Sequence, residues 1–103
     1  MAKVFESEGV ITLKLSVLEK IGALHGDMSV ASSQLKSKIE VSNPWTKEHL
    51  RGVRAPGTAI PYVILLGTMR FKGGKDFCAI YKRTPAVIYE FIDAPFERWI
   101  VSK

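Results

Sequence analysis

Apolar and polar positions alternate from Val10 to Ser16, with Ile11, Leu13 and Leu15 on one side and Thr12, Lys14 and Ser16 on the other. A period of two marks a half-buried strand, and Val4-Phe5 either extends it or forms a separate short strand before Gly9. The period then changes. Val17, Leu18, Ile21 and Leu24 recur at helical spacing, and Ser16 with Glu19 three residues on makes a capping box. The pattern predicts a helix over 17–25, with Gly26 in the left-handed conformation that ends it and His25 near its carbonyl end. So short a helix is not stable alone and is expected to lay its apolar stripe on a sheet.

Met28 and Val30 predict a short strand, residues 32–35 a turn, and Ile39 with Val41 another strand closed by Ser42-Asn43-Pro44. Trp45 to Leu50 fits a helical turn, and residues 51–61, with two glycines and two prolines, read as a shaped loop. Tyr62 to Phe71 and Lys75 to Tyr81 read as strands of a hairpin around Gly73-Gly74. Ala86 to Ile92 is rich in β-branched and aromatic residues and predicts a further strand; a corner at 94–97 leads to a last strand, Trp99 to Val101. An antiparallel meander with one early helix follows, all-β or α+β with a curled sheet.

Composition narrows the class. A chain of 103 residues, 47% hydrophobic and 24% charged, suits one globular domain rather than a disordered segment. The longest apolar run, Tyr62 to Leu66, is far below the roughly 20 residues of a membrane-spanning helix. The first residues have no apolar stretch of signal-peptide length. A single cysteine, Cys78, excludes an internal disulfide and fits a reducing compartment, so a soluble cytoplasmic domain is expected.

The net charge of +5 is unevenly placed. Residues 1–43 hold five lysines and five acids, whereas 51–83 set seven cations against Asp76 alone, a net of +6. An electrostatic function therefore belongs in the middle of the chain, where Arg51, Arg54, Arg70, Lys72 and Lys75 are the candidate anion-binding residues. Arg51 and Arg54, beside glycines, suit a phosphate or carboxylate. Against that stands a plainer account: Gly52, Pro56, Gly57 and Pro61 fix the loop, the arginines pair with Glu48, Glu90 or Glu97, and the lysines are solvated or blunt strand edges. No phosphate-loop spacing is present. Nucleic-acid binding would add Tyr62, Phe71, Phe77 and Tyr81 as stacking platforms. His25, His49, Asp76 and Cys78 lack metal-ligand spacing, so neither a metal nor a catalytic residue is assigned and no cofactor is expected. Trp45, Phe96 and Trp99 are the candidate interface, an exposed apolar patch available for homo-oligomerisation.

The ordered segments Leu15-Ser-Val-Leu-Glu-Lys-Ile, His25-Gly-Asp, Arg51-Gly-Val-Arg-Ala-Pro-Gly-Thr-Ala-Ile-Pro, Leu66-Gly-Thr, Gly73-Gly-Lys-Asp-Phe, Arg83-Thr-Pro-Ala-Val and Ala94-Pro-Phe-Glu-Arg span nearly the whole chain. Together they resemble a family of small bacterial proteins common in actinobacteria. The resemblance implies a pleckstrin-homology-like fold, a bent antiparallel sheet or open barrel usually closed by a C-terminal helix, and implies no enzymatic activity. This chain departs from the pattern by ending just after the last strand, without the capping helix, and by carrying Ala31 where a proline is expected. The uncovered opening is then available to a partner subunit. Lipid-binding relatives use a basic loop between the first strands; here residues 17–27 carry Lys20 answered by Glu19 and Asp27, which argues against phosphoinositide binding of that type. The expectation is an α+β, mainly β domain that binds or scaffolds through protein contacts, as a homo-oligomer. The alternatives are an anion or nucleic-acid binder using segment 51–83, and a small-ligand carrier or enzyme using an opening lined by Tyr62, Phe77 and Tyr81.

Overall fold

The computed structural model describes residues 2–103, apart from the side chain of Ala55. Strands β1 (Lys3–Ser7) and β2 (Val10–Lys14) lead into helix α1 (Val17–Ala23), followed by β3 (Met28–Ala31), a 3-10 turn at Ser32–Gln34 and β4 (Leu35–Val41). The second half holds β5 (Val53–Ile60), β6 (Ile64–Phe71), β7 (Gly74–Tyr81), β8 (Ala86–Phe91) and β9 (Arg98–Ser102). The architecture is mainly β with one short α-helix, and its larger sheet is bent without closing into a barrel.

Strands β1-β2-β3 form a three-stranded antiparallel sheet, and the remaining six have the order β4-β8-β9-β7-β6-β5. The expected meander holds in the small sheet and, in the larger one, from β5 to β7. After β7 the chain skips one strand position to build β8, and β9 returns into the gap, parallel to β7 and antiparallel to β8. The last strand is therefore central, and its backbone is spent on two neighbours.

Alternation divides the six-stranded sheet into two apolar faces. Leu66, Phe77, Ala79, Phe91, Trp99 and Val101 pack against Ile11 and Leu13 of the small sheet and Leu15 just after it. Leu65, Cys78, Ile80, Ala86, Ile88 and Ile100 face the other way, covered by Trp45 and Leu50 from segment 42–52. Trp99, Phe77, Leu13, Ile80 and Ile100 are wholly buried, each contributing roughly 1.5–3 kcal/mol of apolar burial.

Segment 51–61 is not a loop: eight of its residues form the edge strand β5. Its glycines and proline serve close approach and edge placement. Gly57 faces Gly67 across a bulge, and a Cβ on Gly67 would lie 2.3 Å from the Pro56 carbonyl oxygen. Pro56 lacks an N–H to donate, which suits a strand with an unpaired side. Pro61 and Tyr62 form the tight turn into β6, with Val63 N–H donating to the Ile60 carbonyl at 2.9 Å and Tyr62 at φ 63°. The β6–β7 hairpin turns on Lys72-Gly73 rather than Gly73-Gly74, since Phe71 pairs with Gly74.

The helix departs from expectation in its orientation. Glu19 and Ala23 are buried, whereas Val17, Leu18, Ile21 and Leu24 are 71, 79, 64 and 68% exposed. Polar anchors and small residues set this rotation. Ser16 and Glu19 form the expected capping box, Gly22 carbonyl accepts from Thr58 Oγ1 at 2.7 Å, and a Cβ on Gly22 would meet Leu66 Cδ1 at 3.1 Å. Positions 19, 22 and 23 follow the i, i+3, i+4 rule for one helix face, and this face, not the apolar one, approaches β5 and β6. The left-handed C-cap is Leu24 (φ 53°), not Gly26.

Candidate functional site

The five candidate anion-binding residues do not converge. Strand parity and register put Arg70 opposite Lys75 on the face shared with Phe77, whereas Arg54 lies opposite Met69 on the other face, and Lys72 occupies the β6–β7 turn. Arg51 has an internal task. Its Nε and Nη2 donate to Asp76 at 2.8 and 3.1 Å, its Nη2 lies 3.5 Å from Glu97, and its guanidinium stacks 4.2 Å from the Phe71 centroid. Hydrogen bonding to Asp76 holds its pKa above the ordinary arginine value, despite partial burial. Arg98 completes the cluster, donating through Nη2 to Asp76 at 2.7 Å and to the His49 carbonyl at 2.5 Å. Asp76 is 1% exposed. Its two oxygens take four charge-assisted hydrogen bonds, so this cluster ties segment 42–52 to β7 and β9 rather than offering a site to an outside anion. The arginine pairing expected from sequence is thus present for Arg51 with Glu97, with buried Asp76 as the principal partner.

The candidate interface also divides. Phe96 and Trp99 are 5% and 1% exposed, so they do not form an exposed patch. Phe96 packs edge-on to Phe77 at 5.7 Å, and Trp99 stands edge-on to Phe91 at 4.6 Å. Corner residue Phe96 folds inward between the two sheets, and Trp99 points into the same core because β9 is interior. Edge pairing through β9 is excluded for the same reason. Trp45 is half-buried on the opposite face; its Nε1 donates to the Lys82 carbonyl at 2.6 Å and its ring lies 5.7 Å from Tyr62.

Tyr62, Phe77 and Tyr81 do not share an opening. Phe77 is wholly buried, Tyr62 stacks with Trp45 and with Arg83 (4.2 Å), and Tyr81 lies beneath α1. The Tyr81 hydroxyl donates to Glu19 Oε2. Burial and this carboxylate partner push the phenol well above its ordinary range. For Glu19 burial acts upward, but hydrogen bonds from the Ser16 N–H and the Tyr81 hydroxyl are among several influences acting downward, and its carboxyl lies below the ordinary 4.5. Cys78 is wholly buried, which raises its thiol pKa and keeps it from reacting. Among the described residues no three His, Cys, Asp or Glu side chains cluster as a metal site, and no helix is long and apolar enough to cross a membrane.

What the geometry does bring together is an apolar surface. Leu18 borders a groove of about 430 Å³ between α1 and the sheet, with Ile64 and Leu66 on its wall and Glu19 and Tyr81 at its base. Alternation places Ile60, 53% exposed, on the same side of β5 as Thr58, the residue bonded to α1. The outward face of α1, this groove and Ile60 make one candidate contact surface. Sequence reasoning found the stripe at Val17, Leu18, Ile21 and Leu24 but assigned it to the core; the small residues at 22 and 23 were the available signal that the opposite face packs inward.

Comparison of the chain with protein-family models, with curated proteins and with solved structures finds no match.

Proposed function

We propose that the protein is a non-enzymatic binding module that self-associates through the outward face of α1. The observation that carries this reading is the 64–79% exposure of Val17, Leu18 and Ile21 of α1 and of its C-cap Leu24. Single exposed apolar residues need no explanation, but a contiguous set marks a contact surface. A second copy is the occupant best suited to it, because a two-fold contact sets the same patch against itself and tolerates no one-sided field. Here Lys20 is answered by Asp27 at 3.6 Å and Glu19 is turned inward, so the patch is close to neutral while the basic excess lies along β5 to β7. The edge of β5 is a poorer contact, broken by Pro56 and a bulge.

Eight such side chains, each worth roughly 1.5–3 kcal/mol if fully buried, are set against about 4–15 kcal/mol lost on association. The middle of these ranges leaves about 8 kcal/mol, a dissociable dimer with a dissociation constant on the order of micromolar. The pleckstrin-homology-like kinship is a further proposal, supported by the ordered motifs and the bent, open sheet. A cytoplasmic location is proposed on the single free thiol.

Sedimentation equilibrium from micromolar to millimolar chain tests the reading. A reversible monomer–dimer equilibrium is expected, abolished by Leu18→Glu with Ile21→Glu while the monomer's melting temperature is retained. A strict monomer at every concentration, or a dimer indifferent to both substitutions, overturns it.

A further inference from the structure

A second concavity, of about 320 Å³, opens between β3, the β7 start and the 94–96 corner. It is lined in part by His25, Ser29, Val30, Lys75, Pro95 and Phe96. Three features set it apart. Its base is aromatic, with the His25 ring 5.5 and 5.4 Å from those of Phe77 and Phe96. Its one permanent charge is Lys75, whose ammonium sits 4.7 Å over the Phe96 ring and has no carboxylate within ion-pair distance among the described residues. Among the described residues no acidic side chain lines the cleft. The neighbouring acids are engaged elsewhere: Asp27 accepts the Leu15 N–H at 2.7 Å and Glu97 faces Arg51 at 3.5 Å.

We infer that this cleft is a binding site for a small aromatic monoanion with a carboxylate head. Its volume equals roughly ten waters at about 30 Å³ each, which sets the occupant near ten non-hydrogen atoms. One ammonium balances one negative charge; the Ser29 hydroxyl is already paired with Thr12 Oγ1 at 3.2 Å on the outward face of β3, so the head group rests on Lys75. A cleft that sets an aromatic wall beside a few polar groups, here His25 and Lys75, suits a small molecule with an apolar body and a charged head. The ligand's ring would lie against His25, Val30 and Pro95. Sequence reasoning included Lys75 among the anion-binding candidates; the fold separates it from Arg51 and Arg54 and gives it these partners instead. The inference is independent of self-association.

Titration of the ¹⁵N-labelled protein with phenylacetate, acetate, benzyl alcohol and benzylphosphonate tests it. Phenylacetate is expected to saturate, shifting the amides of Ser29, Val30, Lys75 and Phe96. Acetate and benzyl alcohol, each lacking half of the ligand, should bind at least tenfold more weakly, and benzylphosphonate no more tightly than phenylacetate. Lys75→Gln should weaken phenylacetate at least tenfold without changing the melting temperature, and Ala94→Phe, which fills the cleft, should abolish binding. Absence of saturation by phenylacetate through the millimolar range overturns the inference, as does binding unaffected by Lys75→Gln. Tighter binding of benzylphosphonate overturns the carboxylate assignment.

Discussion

Replacing Asp76 with Asn removes one charge from the most buried ionic cluster in the protein while leaving nearly the same shape. Asp76 is 1% exposed, and the side chain of Arg98 only 11%. In the variant Arg98 keeps its bond to the His49 carbonyl but loses the carboxylate that compensates its charge. Breaking a buried pair from one side costs about 3–5 kcal/mol, because the surviving charge stays buried. For a domain of this size each kcal/mol lowers the melting temperature by about 4–8 °C, so a fall of roughly 12–40 °C is expected. Arg51, whose side chain is 38% exposed, contributes less, and Arg51→Met should cost about 1 kcal/mol or below, the range of partly solvated pairs. Urea unfolding of Asp76→Asn, Arg98→Met and the double variant measures the coupling directly. The double variant removes the orphaned charge, so a favourable coupling of about 1–3 kcal/mol is expected. A cost below about 1 kcal/mol for Asp76→Asn, or simple additivity, would refute the claim that this cluster fastens segment 42–52 to the sheet.

Glu19→Gln should destabilise the protein by about 1 kcal/mol near neutral pH, the net worth of a hydrogen bond at the capping box and Tyr81. The folded carboxyl lies below its ordinary 4.5, so its contribution is present above that value and is lost as pH falls through the folded pKa. Urea midpoints of the two proteins should therefore converge in acid, and a constant gap across pH would contradict the assignment. Trp99→Ala should cost about 3–5 kcal/mol in thermal or urea unfolding, since the residue is core; a loss below about 1 kcal/mol would return it to the surface. Gly67→Ala should prevent native pairing of β5 with β6, because the added Cβ meets the Pro56 carbonyl oxygen and φ is 145°; native-like amide exchange protection across this hairpin would refute that.

Local pattern carried most of the strand content. Period-two alternation marked β2, turn residues bounded β6 and β7, and Ser16 with Glu19 announced the start of α1. Non-local choices were hidden. Nothing within Arg98 to Ser102 distinguishes an edge strand from one inserted parallel to β7, because that depends on where β8 lands. The glycines and prolines of 51–61 have the composition of a loop, yet in β5 they permit a close backbone approach and blunt an edge. Asp76, the lone acid amid seven cations, was visible in the charge tally, but its role required knowing that β7 and β9 are neighbours. The helix stripe misled because Gly22 and Ala23 buy close packing for a face with little apolar area, leaving the apolar one outward. The same blindness to tertiary proximity hid the cleft where Lys75 and His25 both meet Phe96.

The contact of α1 with its own counterpart in a second copy is most directly tested by intermolecular dipolar distances. Lys20→Cys, at the rim of the apolar face, takes a nitroxide selectively because Cys78 is wholly buried. Helices in contact pack with axes about 8–10 Å apart, so the labels should report a short intermolecular distance at millimolar chain and lose it on dilution. A label on Lys72→Cys, in the β6–β7 turn at the far end of β6 from α1, should report none. The opposite pattern, or no intermolecular distance at either site, would contradict the proposed dimer.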